Sequence, residues 1–419
     1  MKLSEKFYAV LLHGERIGTL SQRGDFTRFL LNERYLHDSM RPVLGLRFEE
    51  ALRSPYSSAL RLPPWFSNLL PEGPLRQWIA AEREVSLDRE MELLAQVGHD
   101  LPGAVQIISA DGPDVETDWA ARGLRSGQKK DSRIDSLWRF SLAGVALKFS
   151  MLAQGDRLTI PAVGDRGDWL VKFPDYVHPD VPQNEFAMMS MARMVGIEVP
   201  EIRLVHRDEL AGLPVRMWPN AEEWAFAIKR FDRVAGRRSI SIHIEDFAQV
   251  RDVYPDAKYQ GSMETVAALA YRGRDVDALR EFVRRLTFNI LIGNGDAHLK
   301  NWSLIYPNGR IPRLSPAYDL VSTHLYRSLE DGPEDLGLRF DKTKRFDKIR
   351  ISSFVNLEKR LGDRFGKVGA DLGEVAAQTV QRVVDCWPAC RLNMRYSAEF
   401  ADAMDEWINK HACSLLNAQ

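Results

Sequence analysis

The stretch FNILIGNGDAHLKNWSLIY at residues 288–306, followed by RLSPAYDLVST at 313–323, decides how this chain reads. Its first half is apolar at helical spacing and ends at Gly293, the residue type that most readily closes a helix. A polar loop then presents Asp296, His298, Lys300 and Asn301 before an apolar strand resumes. Asp319 stands in a second apolar turn after an intervening strand. A loop rich in Asn, Asp and Gly is more often a solvated turn than a site, so Asp296 alone carries little weight. The order and spacing of the whole set carry more.

Upstream, residues from Lys6 to about Phe48 read as short strands: FYAVLLHG and ERIGTL meet at a Gly, then come TRFLLNERYL and RPVLGLRF. Such spacing predicts a small antiparallel sheet. Pro63, Pro64, Pro71 and Pro74 suit a fixed loop leading into a helix near Leu75. Residues 111–136 are polar, charged and glycine-containing, as a linker would be. Beyond them LWRFSLAGVALKFS and GDWLVKFP read as strands, PQNEFAMMSMARMV as a helix, and EIRLVHR and EEWAFAIKRFDR as strands completing a five-stranded lobe. From Glu245 onward helices dominate, at about 261–273, at 276–292 and at three places between 351 and 416. The predicted organisation is an N-terminal subdomain at 1–110, a linker at 111–136, a small β-rich lobe at 137–232 and a helical lobe at 233–419. The fold class is α+β.

Composition narrows the functions. With 45% hydrophobic and 27% charged residues the chain of 419 has ample material for large cores. The 57 Lys and Arg against 58 Asp and Glu leave a formal charge of -1, with no global basic field to drive autonomous nucleic-acid binding. Cys386, Cys390 and Cys413 lack an accompanying histidine cluster, and a zinc site needs about four ligands, so reduced thiols are expected. The N-terminal apolar stretch is broken by His13, Glu15 and Arg16, too short for a signal segment or a bilayer span. A soluble, cytoplasmic protein without a membrane partner is expected.

Asp296 and Asn301 are five positions apart, the spacing of the catalytic Asp and metal-binding Asn in a protein-kinase catalytic loop. Phosphoryl transfer to a hydroxyl needs a carboxylate to take or orient its proton, which assigns Asp296. Hard oxygen ligands must hold Mg²⁺ against the phosphates of ATP, which assigns Asn301 and Asp319. A cation must also meet the phosphates. Lys172, in WLVKFP, is the candidate, because a lysine amid apolar strand residues otherwise lacks a reason, and Glu185 on the next helix is its candidate partner. Ser141-Leu-Ala-Gly144 reads as a phosphate-covering loop or equally as a hairpin turn, and Lys148 as a solvent-facing strand residue. AIKRFDR reads as a hinge presenting backbone to adenine with Asp232 near the ribose, or as a strand ending in a charged turn.

These segments together resemble the HipA family, the kinase toxins of type II toxin–antitoxin systems. NLLPEGPLR, SLAG, WLVKFP, NEFAMMSMARMVGIEVP, FAIKRFDR, HIEDFAQV, KYQGS, NGDAHLKNWS and SPAYDLVST carry the resemblance, which covers nearly the whole chain. It implies a protein-kinase-like, two-lobed fold with a small β-rich N-lobe, an N-terminal subdomain and a mainly helical C-lobe. It further implies Asp296 as catalytic base, His298 as an active-site residue near the phosphates, and Asn301 and Asp319 as Mg²⁺ ligands. For ATP it implies Lys172 as phosphate lysine, Ala143 and Gly144 in the phosphate loop, Lys229 and Phe231 as hinge contacts, and Asp232 as ribose contact. Ser141 matches the autophosphorylated serine. Where the family pattern continues SxAGAQEK this chain has SLAGVALK, so Ala146 and Leu147 replace two polar side chains.

By the same resemblance the expected partners are a helix-turn-helix antitoxin of HipB type, DNA only through that antitoxin, and a protein substrate such as an aminoacyl-tRNA synthetase. Two other classes stand beside it. A small-molecule kinase of aminoglycoside-phosphotransferase type uses a similar Asp-to-Asn spacing, and a pseudokinase co-repressor would use the same fold without transfer.

Overall fold

The computed structural model describes residues 4–82, 84–113, 148–154, 157–159, 166–211, 218, 221–234, 240–327, 332, 334–393 and 398–417. Two compact units divide the chain. The first comprises Met1–Phe173, Val205–Ala257 and Ser303–Pro312, the second Pro174–Leu204, Lys258–Trp302 and Arg313–Gln419.

In the first unit, β1 (Glu5–Leu12), β2 (Glu15–Arg23), β3 (Phe26–Leu31), β4 (Tyr56–Ala59) and β5 (Val105–Ala110) form an antiparallel sheet of order β4-β3-β2-β1-β5. The β1–β2 turn is tight because His13 and Gly14 both take positive φ, 53° and 85°, the twist a two-residue hairpin needs. Strand β1 is central and apolar on both faces. Tyr8, Val10 and Leu12 join the main core, while Ala9 and Leu11 meet Ile108 and Ala110 on the other side.

RPVLGLRF, expected to be a strand, contains only the short helix Leu46–Glu49. Two of its backbone polar groups meet side chains instead of a ladder: the Leu44 carbonyl lies 2.7 Å from His243 Nε2 and the Leu46 amide donates to Glu245 Oε1 at 2.9 Å.

A second sheet takes β6 (Lys148–Gln154), β7 (Arg157–Thr159), β8 (Trp169–Lys172), β9 (Ile202–His206), β10 (Leu210–Ala211) and β11 (Trp224–Lys229) in the order β10-β7-β6-β8-β11-β9. Strand β12 (His243–Asp246) pairs antiparallel with β13 (Ser303–Tyr306). One hydrophobic core runs from Tyr8 through Phe66 and Leu94 to Phe149, Val171 and Ala227. The first 110 residues therefore share their core with residues placed by sequence in the small lobe.

The second unit is helical. Val276–Leu291, Ile351–Phe365 and Val181–Val195 all pack on the long helix Leu372–Asn393. The helix Val181–Val195, which the sequence assigns to the small lobe, belongs here because Ala187, Met188, Met191, Ala192 and Val195 bury its apolar face. Among the described residues no helix is long and apolar enough to cross a membrane.

Candidate active site

Asp275 caps the helix Val276–Leu291, its Oδ1 accepting from the Ala278 amide at 3.0 Å. The helix closes at Gly293, whose φ of +65° and close neighbours exclude a side chain: a Cβ there would lie 2.6 Å from His324 Nδ1 and 2.8 Å from Trp407. The chain leaving this helix is the loop Asn294–Asn301, and side chains tie it to the loop around Asp319.

Asn294 is the knot. It is buried, its Nδ2 donates to Asn289 Oδ1 at 2.9 Å and to the Asp319 carbonyl at 3.3 Å, and its Oδ1 accepts from the Asp296 amide at 3.1 Å. Thr323 adds a second tie: its Oγ1 accepts from the Gly295 amide at 2.7 Å and donates to the Gly293 carbonyl at 3.1 Å. Asn301 Nδ2 donates to the Asp296 carbonyl at 2.9 Å, and the Oδ1 of the same amide is its acceptor atom. Tyr318 donates its hydroxyl to the Lys300 carbonyl at 3.0 Å. Asp319 holds φ +55°, a conformation non-glycine residues rarely take unless their surroundings enforce it.

Asn301 and Asp319 line one small cavity with Arg285, Asn289, Asn294 and Trp302, of about 10 Å³, the space of one water. The Trp302 indole N–H is buried beside it with no hydrogen-bond partner among the described residues. Asp296 and Asp319 are half-buried and His298 is buried, so the carboxylates reach the surface and the imidazole does not.

Among the described residues no group of three or more His, Cys, Asp or Glu side chains forms a metal cage. One carboxylate and one amide oxygen suit Mg²⁺ nonetheless, because this ion binds through one or two carboxylates with substrate phosphates and waters completing its shell. The donor set therefore fits the ion that the sequence implies.

Within the first unit, Lys172 ends β8 opposite Phe226 of β11, its Nζ 5.8 Å from that ring, and it is only 8% exposed. Lys148 was expected to face solvent. It is 6% exposed instead and pairs directly with Lys172 across β6 and β8. Directly opposed residues share a face, so both ammonium groups belong to one side of this sheet. Glu185, the expected partner of Lys172, is buried in the second unit.

Lys229 ends β11 opposite Trp169, with its Nζ 5.9 Å from that ring, and Phe231 lies in the turn that follows. Asp232 departs from its expected role as a ribose contact. It is 4% exposed, and its carboxylate accepts from Arg230, from Arg233 Nη1 at 2.7 Å and from the Gly103 amide at 2.7 Å. Asp100 completes the cluster through Arg230 at 3.1 Å and Arg233 at 2.8 Å. Burial would raise both carboxyls, but the two guanidinium groups hold them below the usual carboxylate range. A carboxylate so committed, away from solvent, pins the turn after β11 to Asp100–Gly103. Ser141, Ala143, Gly144, Ala146 and Leu147 lie outside the described residues.

Residues 140–387 match the HipA-like C-terminal domain and residues 8–108 the HipA N-terminal domain. Y4dM of Sinorhizobium fredii is 41% identical over 412 residues, spanning 94% of this chain and 95% of its own. The serine/threonine-protein kinase toxin HipA of Shewanella oneidensis is 27% identical over 318 residues, 68% of each chain. A solved complex of Shewanella oneidensis HipA, HipB and operator DNA contains a chain that superposes with a TM-score of 0.70 at 20% identity, covering 97% of this chain and 96% of that one. That superposition makes the fold the α+β, protein-kinase-like, two-lobed HipA fold. Since the HipA-like C-terminal domain alone spans more than half its length, the chain belongs to the HipA family.

Proposed function

We propose that this protein is an ATP- and Mg²⁺-dependent serine/threonine protein kinase that serves as the toxin of a type II toxin–antitoxin system. The observation carrying the proposal is the junction of the Asp296–Asn301 loop with the Asp319 loop through Asn294, with Asp319 at positive φ. Asp296 takes or orients the proton of the acceptor hydroxyl. Asn301 and Asp319 hold Mg²⁺, which when bound offsets the charge of the ATP phosphates. Lys172, joined by Lys148, meets phosphate oxygens. Lys229 and Phe231 contribute adenine contacts through backbone, and Ser141 is the autophosphorylated residue of the loop containing Ala143 and Gly144.

The named Shewanella relative is a serine/threonine-protein kinase toxin, and its solved complex holds HipB and operator DNA. Carried to this chain, those associations support a HipB-like antitoxin as partner with DNA contact through it. The helix-turn-helix character of that antitoxin and a protein substrate in translation, such as an aminoacyl-tRNA synthetase, are carried by the sequence resemblance alone. The near-balanced charge of -1 agrees with delegating DNA contact.

Expression of the wild type and of Asp296→Asn in parallel, read by growth and by phosphoproteomics, tests the proposal. Growth arrest and new phosphoserine or phosphothreonine sites are expected with the wild type alone. Equal arrest by both, without new sites, would favour the non-catalytic co-repressor that Ala146 and Leu147 make the second reading.

A further inference from the structure

KYQGS at 258–262 has no role in the chemistry above, yet it delivers a side chain to the catalytic carboxylate. The Tyr259 hydroxyl donates a hydrogen bond to Asp296 Oδ1. The ring is fixed from two sides. It meets His298 edge-on, centroids 5.1 Å apart at 74°, and Lys258 Nζ lies 5.5 Å from its centroid. The backbone is fixed as well, because the Lys258 carbonyl accepts from the Leu299 amide at 3.1 Å, inside the catalytic loop. Gly261 at φ +130° then turns the chain into the helix Met263–Tyr271, capped by Ser262. Tyr259 is nonetheless 42% exposed, so it stands on the solvent side of Asp296, from which a protein acceptor must approach.

We infer that Tyr259 is a positioning residue for the acceptor half of the reaction: its hydroxyl holds Oδ1 of Asp296, leaving Oδ2 to meet the acceptor hydroxyl. The inference rests on Asp296 acting as the base proposed above. In the transfer the acceptor oxygen forms a bond to the γ-phosphorus of ATP, the bond from that phosphorus to the β,γ-bridging oxygen breaks, the acceptor proton passes to Asp296 and ADP leaves. An untethered carboxylate rotates about its Cβ–Cγ bond and spends less time aimed at the acceptor. Loss of the phenol hydroxyl therefore lowers turnover without weakening the binding of either substrate.

The test compares the full-length wild type with Tyr259→Phe, using Mg²⁺, ATP and myelin basic protein as a generic serine and threonine acceptor. The expected result is a kcat lower by roughly 10- to 100-fold, with KM for ATP and for the acceptor within about twofold and the melting temperature unchanged. The exposed ring is retained, so the variant has no cavity to fill and should fold. An unchanged kcat would overturn the inference. So would a lower acceptor KM with kcat kept, which would make Tyr259 an occupant of the acceptor's place. A wild type that transfers no phosphate would sink the kinase proposal itself, an outcome distinct from a wild-type enzyme that is active and indifferent to Tyr259.

Discussion

Asp319 combines an unfavourable backbone conformation, φ +55°, with a carboxylate proposed to hold Mg²⁺. An L-residue at positive φ costs about 1–2 kcal/mol, and Asn and Asp bear this better than Ala. Asp319→Asn should therefore be the more stable of the two variants Asp319→Asn and Asp319→Ala, and both should lose metal-dependent nucleotide binding. Urea denaturation of the pair is expected to separate them by about 1 kcal/mol, and equal stabilities would deny that the conformation is enforced. That the Asp296–Asn301 and Asp319 loops belong together was legible in sequence, because order and spacing are local properties, and Asn294 joins the two loops. Tyr259 was not, since its partner Asp296 lies 37 positions away and only the fold joins them. Lys148 was misread for a related reason: its burial follows from facing Lys172 across a strand pair, which no local window contains.

Strand β12 shows what one short element can hold. Its Glu245 is fully buried and accepts from the Leu46 amide, the Trp65 indole at 3.2 Å and the Tyr306 hydroxyl. Burial outweighs these donors and pushes its carboxyl up from 4.5 to about 7. His243, also fully buried and stacked on Tyr306 at 5.5 Å, is pushed down from 6.5 to about 4 by the same desolvation.

The two groups act oppositely on stability. The glutamate's contribution is complete below about pH 4.5 and lost as pH rises through about 7, whereas the histidine's is complete above about pH 6.5 and lost as pH falls toward 4. Replacing Glu245 with Gln removes the glutamate's part of the pH dependence. The stability of wild type relative to Glu245→Gln should thus decline between pH 4.5 and 8, by up to about 3 kcal/mol, in denaturation curves taken across that range. A difference that does not change with pH would contradict it. At this scale most helices and strands were legible from periodicity, including Val276–Leu291 and its stop at Gly293. RPVLGLRF failed because β12 side chains take the Leu44 carbonyl and the Leu46 amide that a strand ladder would have used.

For the whole molecule, the α+β class and the HipA fold were legible, and the boundaries less so. Cutting at 110 and at 232 separates segments that one buried cluster joins, Asp100 and Gly103 with Arg230, Asp232 and Arg233. A turn whose charged residues are paired inside a core looks, in sequence, the same as a solvated turn offering a carboxylate to a ligand. Asp232 was misassigned on that ambiguity. The two catalytic-side loops, by contrast, sit in one unit and meet through Asn294, so the central claim of phosphoryl transfer stands on geometry internal to that unit. Its most direct test is transfer of label from γ-labelled ATP by the purified full-length protein, with Mg²⁺ or with excess chelator, for the wild type and for Asp296→Asn. Label appearing on serine or threonine only for the wild type with Mg²⁺ is the predicted result, and transfer that survives either the chelator or the substitution, or no transfer at all, would contradict it.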